Sequence, residues 1–274
     1  MSTKTGNTVK AAENPDLVNQ MVAQTLASVD TTPEPVAVMP PSDNLVTLPG
    51  GYLNPAGEVI KTVEVRELNG KDEEAIARTT SMGKAILTIL QRGTVKVGDM
   101  PATEELLDGL LAGDRDAIML GIYKATFGKT ADIQGVCLKE NKFLDVKIDI
   151  DHDIEVRKME DPYKRKFTLD CKVGPVDVVL PTGYVQKDLV NNTDKTVSEL
   201  TTILLENCVV SINGSPVIGK AQVQNLGIND RRMISEALNK HSIGPVFEEI
   251  TLTCTDCGDG EVTVPINLGT LFRF

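Results

Sequence analysis

Polar and apolar positions alternate in short runs separated by stretches with helical spacing, and the two periods take turns along most of the chain. Val59, Lys61, Val63 and Val65 share one period-2 phase, which predicts a strand, while Ala85, Ile86, Ile89 and Leu90 form a helical face within Gly83–Gln91. A second helix is expected over Asp72–Arg78, where Glu67, Asp72, Glu73 and Glu74 set negative charge at or just before the first turn and offset the macrodipole. Thr94–Val97 reads as a strand closed by Gly98-Asp99, Glu104–Leu111 as a short helix, and Asp114 as the cap of a helix that reaches Phe127 and stops at Gly128. Asp132–Cys137 and Phe143–Ile150 then read as a β-hairpin.

The same succession returns further on. A helix over Asp194–Glu206, a strand at Val209–Ile212, a short helix near Val223 and a helix over Asn229–Lys240 lead to a hairpin of Glu248–Cys254 and Glu261–Leu268. Leu48-Pro-Gly-Gly-Tyr52, read as a turn, is echoed by Leu180-Pro-Thr-Gly-Tyr184, and Ile89 through Asp99 by Leu204 through Gly214. Asp114 and Asp230, like Gly128 and Gly244, are displaced by 116 residues, and Cys137 and Cys254 by 117. The expected architecture is α+β: two related modules of helices packed with short strands, the second ending in a β-hairpin with a zinc-knuckle-like turn. The first module spans 45–153 and the second 180–274; residues 154–179 form a β linker or insertion without a counterpart; residues 1–44, rich in Thr, Asn, Glu and Pro, form a flexible arm. Within the arm, 17–28 could form a short amphipathic docking helix, although an unstructured tail accounts for it better. The two long module helices, Asp114–Phe127 and Asn229–Lys240, are expected to pack together as a pseudo-symmetric core.

Composition narrows the function. A net charge of −11 opposes attraction to phosphate backbones, and the absence of Trp with 4% aromatic residues leaves few platforms for stacking bases, so nucleic acid is not expected as a partner. No signal-like N-terminus and no long apolar run points to a membrane. Five cysteines, an odd number and mostly isolated, suit a reducing cytosol.

The sharpest chemical feature is Cys254-Thr-Asp-Cys257-Gly, because two residues between thiolates let one tight turn aim both sulfurs at a tetrahedral ion. The equivalent first hairpin keeps Cys137 but has Glu140 in place of a second cysteine. If the hairpins meet, Cys137, Cys254 and Cys257 could share a structural zinc, with Glu140, Cys171 or His152 as fourth donor; otherwise the turn is a metal-free remnant with reduced thiols. Asp149 to Asp153 lacks the pivotal Gly of a calcium loop, since Ile154 stands there, and Gly128-Lys129-Thr130 follows a helix instead of opening one, against a phosphate loop. His152 and His241 suggest no triad, so no catalytic residues and no cofactor site are assigned. Arg66, Arg115 and Arg231 are expected to form fixed pairs with carboxylates of a packed module.

Leu48-Pro-Gly-Gly51, Val63-Glu-Val-Arg-Glu-Leu-Asn-Gly70 with Glu73-Glu74, the Gly113-Asp-Arg-Asp116 helix start and the Cys-x-x-Cys hairpin ending in Leu271-Phe272 together resemble the T-even-type baseplate hub assembly chaperone family of contractile-tailed bacteriophages. The resemblance covers 45–274. It implies a non-enzymatic protein whose partners are baseplate hub or tail proteins, working in the host cytoplasm during phage assembly, with some relatives retained in the virion baseplate. Relatives often carry a cysteine pair in the first hairpin too, from which Glu140 departs. A permanent structural component of the baseplate or tail and a zinc-ribbon-like adaptor are the alternatives, and a homo-oligomer stays open.

Overall fold

A computed structural model describes residues 44–254, 256–258 and 260–273. The segment in which the flexible arm and its docking helix are expected lies outside the described residues, apart from Asn44.

The architecture is α+β, built from short antiparallel sheets with helices on them. The first sheet has the order β1-β2-β3-β4, from β1 (Leu45–Leu53), β2 (Val59–Val65), β3 (Thr94–Val97) and β4 (Met100–Pro101). Between β2 and β3 come α1 (Gly70–Ala77) and α2 (Met82–Gly93), and after β4 come α3 (Glu104–Gly109) and α4 (Ala112–Phe127). Helix α1 starts with a capping box of Asn69 and Asp72, and its acidic first turn is the one the sequence predicts. Leu48-Pro-Gly-Gly is not a turn. It lies inside β1, where the pairing with β2 shifts register between Thr47 and Tyr52, a bulge that the Pro and Gly residues tolerate.

A second sheet repeats this plan. Strands β8 (Lys166–Cys171), β9 (Gly174–Val179), β10 (Val209–Ile212) and β11 (Ser215–Pro216) pair in the order β8-β9-β10-β11. Helices α6 (Gly183–Val190) and α7 (Val197–Cys208) intervene between β9 and β10, and α8 (Lys220–Gln224) and α9 (Ile228–Lys240) follow β11. Each half therefore runs ββ-αα-ββ-αα. Within this order 166–179, for which the sequence shows no counterpart, holds the place of β1 and β2. Leu180 to Tyr184, matched by sequence to a segment of β1, instead leads into α6.

A third sheet draws on both halves, in the order β13-β14-β5-β6: β5 (Thr130–Cys137) and β6 (Lys142–Asp149) follow α4, and β13 (Glu249–Thr253) and β14 (Glu261–Pro265) follow α9. The short pair β7 (Val156–Arg157) and β12 (Gly244–Pro245), together with α5 (Ile150–Asp153) and α10 (Leu268–Phe272), completes the described chain.

The two long helices do not form a shared core. Ile118, Met119 and Ile122 of α4 pack with Leu48, Val63, Val65 and Val97, whereas Ile234 and Leu238 of α9 pack with Val176, Val178 and Leu205 of their own half. Helix α9 satisfies its apolar face on the sheet it is connected to, whereas α4 is buried on more than one side and also gives Leu120 and Tyr123 to the core of another sheet. Arg115 and Arg231 pair within their own halves, although the Arg115 guanidinium also lies against Gly183: Arg115 pairs with Asp108 at 3.3 Å, and Arg231 donates to the Val223 carbonyl at 2.9 Å. Both tie the long helix to the short helix before it. Arg66 pairs locally with Asp72 at 2.7 Å.

The halves join where the α3–α4 corner meets the start of α6. Ala112 N donates to the Pro181 carbonyl and Gly183 N to the Leu110 carbonyl, both at 2.9 Å, and Lys187 pairs with Glu104 and with Asp108. Close by, Gly113 abuts Ile243 and Gly244 so tightly that a Cβ on it would collide with the Ile243 carbonyl.

Candidate metal centre

The third sheet brings the cysteines together. Strand β5 buries alternate residues, Ala131, Ile133, Gly135 and Cys137, so its period-2 phase sends the last of them inward. On β14 the inward residues are Val262 and Val264, and Cys137 is the register partner of Val262. Leu138 N donates to the Glu261 carbonyl at 2.9 Å, which extends that pairing to the mouth of the second hairpin's turn.

That turn folds back on itself. Cys254 N donates to the Gly260 carbonyl at 2.7 Å, and Gly258 N to the Cys254 carbonyl at 3.0 Å. The sulfurs of Cys137, Cys254 and Cys257 consequently lie within 4.8 Å of one another, with Cys137 and Cys257 at 3.8 Å. Cys137 and Cys254 are buried and Cys257 is half-buried. Gly260 makes the room: a Cβ there would stand 2.6 Å from the Cys257 sulfur and 3.2 Å from that of Cys137. Gly260 lies beyond the Cys-x-x-Cys motif, and its signal in the sequence is only the Gly that ends the turn before β14.

The environment favours charge on the Cys254 sulfur. The backbone N–H groups of Cys257 and Asp256 point at the Cys254 sulfur and, with contributions from the neighbouring thiols, hold it below the ordinary range against the opposing effect of burial. At the rim Lys142 reaches Asp256 at 3.5 Å. The remaining cysteines behave differently. Cys171 and Cys208 belong to the core under the second sheet, where burial pushes the Cys208 thiol up to about 12 and also raises that of Cys171.

Of the expected donors, the structure unites Cys137, Cys254 and Cys257, and among the described residues none of Glu140, Cys171 and His152 joins them. Glu140 sits in the exposed β5–β6 turn, and His152 lies on α5 against Asp153 at 2.8 Å. His241 caps the end of α9 and stacks on Phe167 with ring centres 4.2 Å apart. Three soft donors from two hairpins can chemically do two things: ligate a thiophilic ion, or pair two of their number as a disulfide.

Residues 47–179 match the family described as T4 bacteriophage base plate protein. The match supports a phage baseplate protein. It spans the first sheet with its helices, the β5–β6 hairpin and β8–β9, and thus includes Cys137 but neither Cys254 nor Cys257. No curated protein and no solved structure matches the chain. Among the described residues no helix is long and apolar enough to cross a membrane.

Proposed function

We propose that the chain is a non-enzymatic assembly chaperone of the phage baseplate hub, holding a hub or tail component until a larger interface replaces it. The family match over 47–179 supports the baseplate context of this reading. Two features of the fold suit it. Strand β6 is an edge of the third sheet, and it starts beside the exposed apolar side chains of Leu138 and Phe143, so it can offer both unpaired backbone and apolar contact to an incoming strand. The net charge of −11 keeps such a surface soluble.

A permanent place in the baseplate is the second reading, favoured by the matched family's description, which names the base plate itself. Mass spectrometry of purified virions and of tail-assembly intermediates separates the two. A chaperone is found with hub components in intermediates and is missing from finished particles, whereas stoichiometric presence in virions supports the structural reading. A chain that co-purifies with neither sinks both.

A further inference from the structure

We propose that Cys137, Cys254 and Cys257 hold one thiophilic divalent cation of the zinc class, which pins the hairpin of the first half to the hairpin of the second. A tetrahedral zinc with Zn–S bonds of about 2.3 Å has sulfur–sulfur edges of about 3.8 Å. Cys137 and Cys257 stand at 3.8 Å, and the third sulfur completes a triangle with no side beyond 4.8 Å. A disulfide would need roughly 2.05 Å between two of these sulfurs and would leave the third without a bond. One ion satisfies all three.

The surroundings fit a metal better than a hydrophobic packing of thiols. The turn that carries Cys254 and Cys257 is closed by two backbone hydrogen bonds, so both sulfurs are held in place before an ion arrives. Gly260 keeps the space between the sulfurs clear. Among the described residues three ligands come together, and the fourth position of a tetrahedral ion would be filled from outside this trio. Each thiol releases its proton to solvent as it ligates, so loading is a proton-coupled exchange with no redox step. Because the first ligand follows α4 and the other two follow α9, the ion closes the third sheet across the two halves.

The test is metal analysis of the full chain, loaded with zinc under reducing conditions and dialysed, together with cobalt substitution. About one zinc per chain is expected. Cobalt should give sulfur-to-metal charge-transfer absorption in the near ultraviolet with the visible bands of a tetrahedral site. Cys254→Ser with Cys257→Ser should abolish both signals, Cys137→Ser should weaken affinity at least tenfold and cut the charge-transfer intensity, and Cys171→Ser with Cys208→Ser should change neither. A wild-type chain that retains no zinc and shows no cobalt–thiolate absorption overturns the proposal, as does undiminished cobalt absorption in Cys137→Ser. Non-reducing peptide mapping that finds Cys137 joined to Cys257 in the native protein also overturns it. Should the serine variants fail to fold, the wild-type cobalt spectrum and its loss to chelator decide alone. A metal-free chain that still joins the baseplate would reject the ion and leave the assembly reading standing.

Discussion

Asp114 and Asp230 occupy the same step of α4 and α9, and both turn away from capping their own helix. Asp230 accepts from Lys172 N at 2.9 Å and Val173 N at 3.1 Å, fixing the turn between β8 and β9. Asp114 reaches Gly50 N in β1 at 2.6 Å. Both carboxylates are buried, so their value lies in holding backbone donors of another segment in place. Asp230→Ala should therefore cost about 2–4 kcal/mol in urea unfolding, from the loss of two hydrogen bonds to a charged acceptor, and Asp230→Asn distinctly less because one acceptor survives. Asp114 adds a pH dependence. Burial pushes its carboxyl up to about 6, against the pull of the Gly50 and Gly51 N–H groups and of Arg165. With an unfolded value near 3.9, the folded chain keeps a proton that the unfolded chain has released, so the stability present below about pH 4 is lost as pH rises through about 6. Burial pushes Asp116 up to about 6 as well, in the same window. Asp72 acts oppositely: Arg66, with the Asn69 N–H and Arg92, holds it at about 2, so its contribution is present above pH 4 and fades towards pH 2. Stability from these three groups peaks near pH 4. Asp114→Asn should flatten the decline between pH 4 and 6 by roughly 2–3 kcal/mol at most, and denaturant titrations with an unchanged slope would contradict the assignment.

At the scale of elements, what the sequence displays is what depends on near neighbours. The capped helix α1, the amphipathic α2, the strands β2 and β3 and both terminal hairpins follow from periodicity and turn residues alone, and the equal displacement of Asp114/Asp230 and Gly128/Gly244 marks a true equivalence of α4 with α9. Gly128 and Gly244 even share a left-handed φ, 93° and 92°. Equivalences defined by strand pairing are invisible in the same reading. The partnership of β8–β9 with β10 sits in backbone hydrogen bonds, while the likeness of Leu48–Tyr52 to Leu180–Tyr184 pairs a bulged strand with a helix start. Helix α6 escaped because no side chain caps its start and Gly183 and Val185 are its only buried residues. The cysteine trio was legible from Cys-x-x-Cys and the repeat offset; that Glu140 and His152 stay apart from it was not, because their positions are tertiary facts. Gly260 tests the fit of the site to its element. Gly260→Ala should push the sulfurs apart, cost about 1–3 kcal/mol as overpacking does, and speed alkylation of buried Cys254. Gly258→Ala, with φ at 75° but open space around it, should cost only about 1 kcal/mol and leave the alkylation rate, followed by mass spectrometry, unchanged.

At the scale of the molecule, duplication and fusion pull in different directions. The core under the second sheet, from Cys171 to Leu238, draws only on its own half, which would let it melt alone. The core of the third sheet instead mixes Leu120, Tyr123 and Ile133 with Val262, Val264 and Leu271, so neither half can complete it. Between these extremes sits the junction of Gly113 with Ile243 and Gly244, backed by the Leu110–Gly183 and Ala112–Pro181 hydrogen bonds. Glycine is needed on both sides of that contact, since a Cβ on Gly113 would strike the Ile243 carbonyl and one on Gly244 the Gly113 backbone. Shared core and tight junction together predict one cooperative transition for 44–273. Hydrogen exchange read by mass spectrometry should show the β2 peptide 59–65 and the β9 peptide 174–179 losing protection at the same urea concentration. Gly113→Ala should lower that concentration for both peptides alike, with a loss of about 3 kcal/mol from backbone that must move apart. If β9 opened first while β2 stayed protected, the second sheet would be an independent folding unit and the junction merely a contact; joint loss would make the corner between α3, α4 and α6 the element through which two copies of one plan became a single protein.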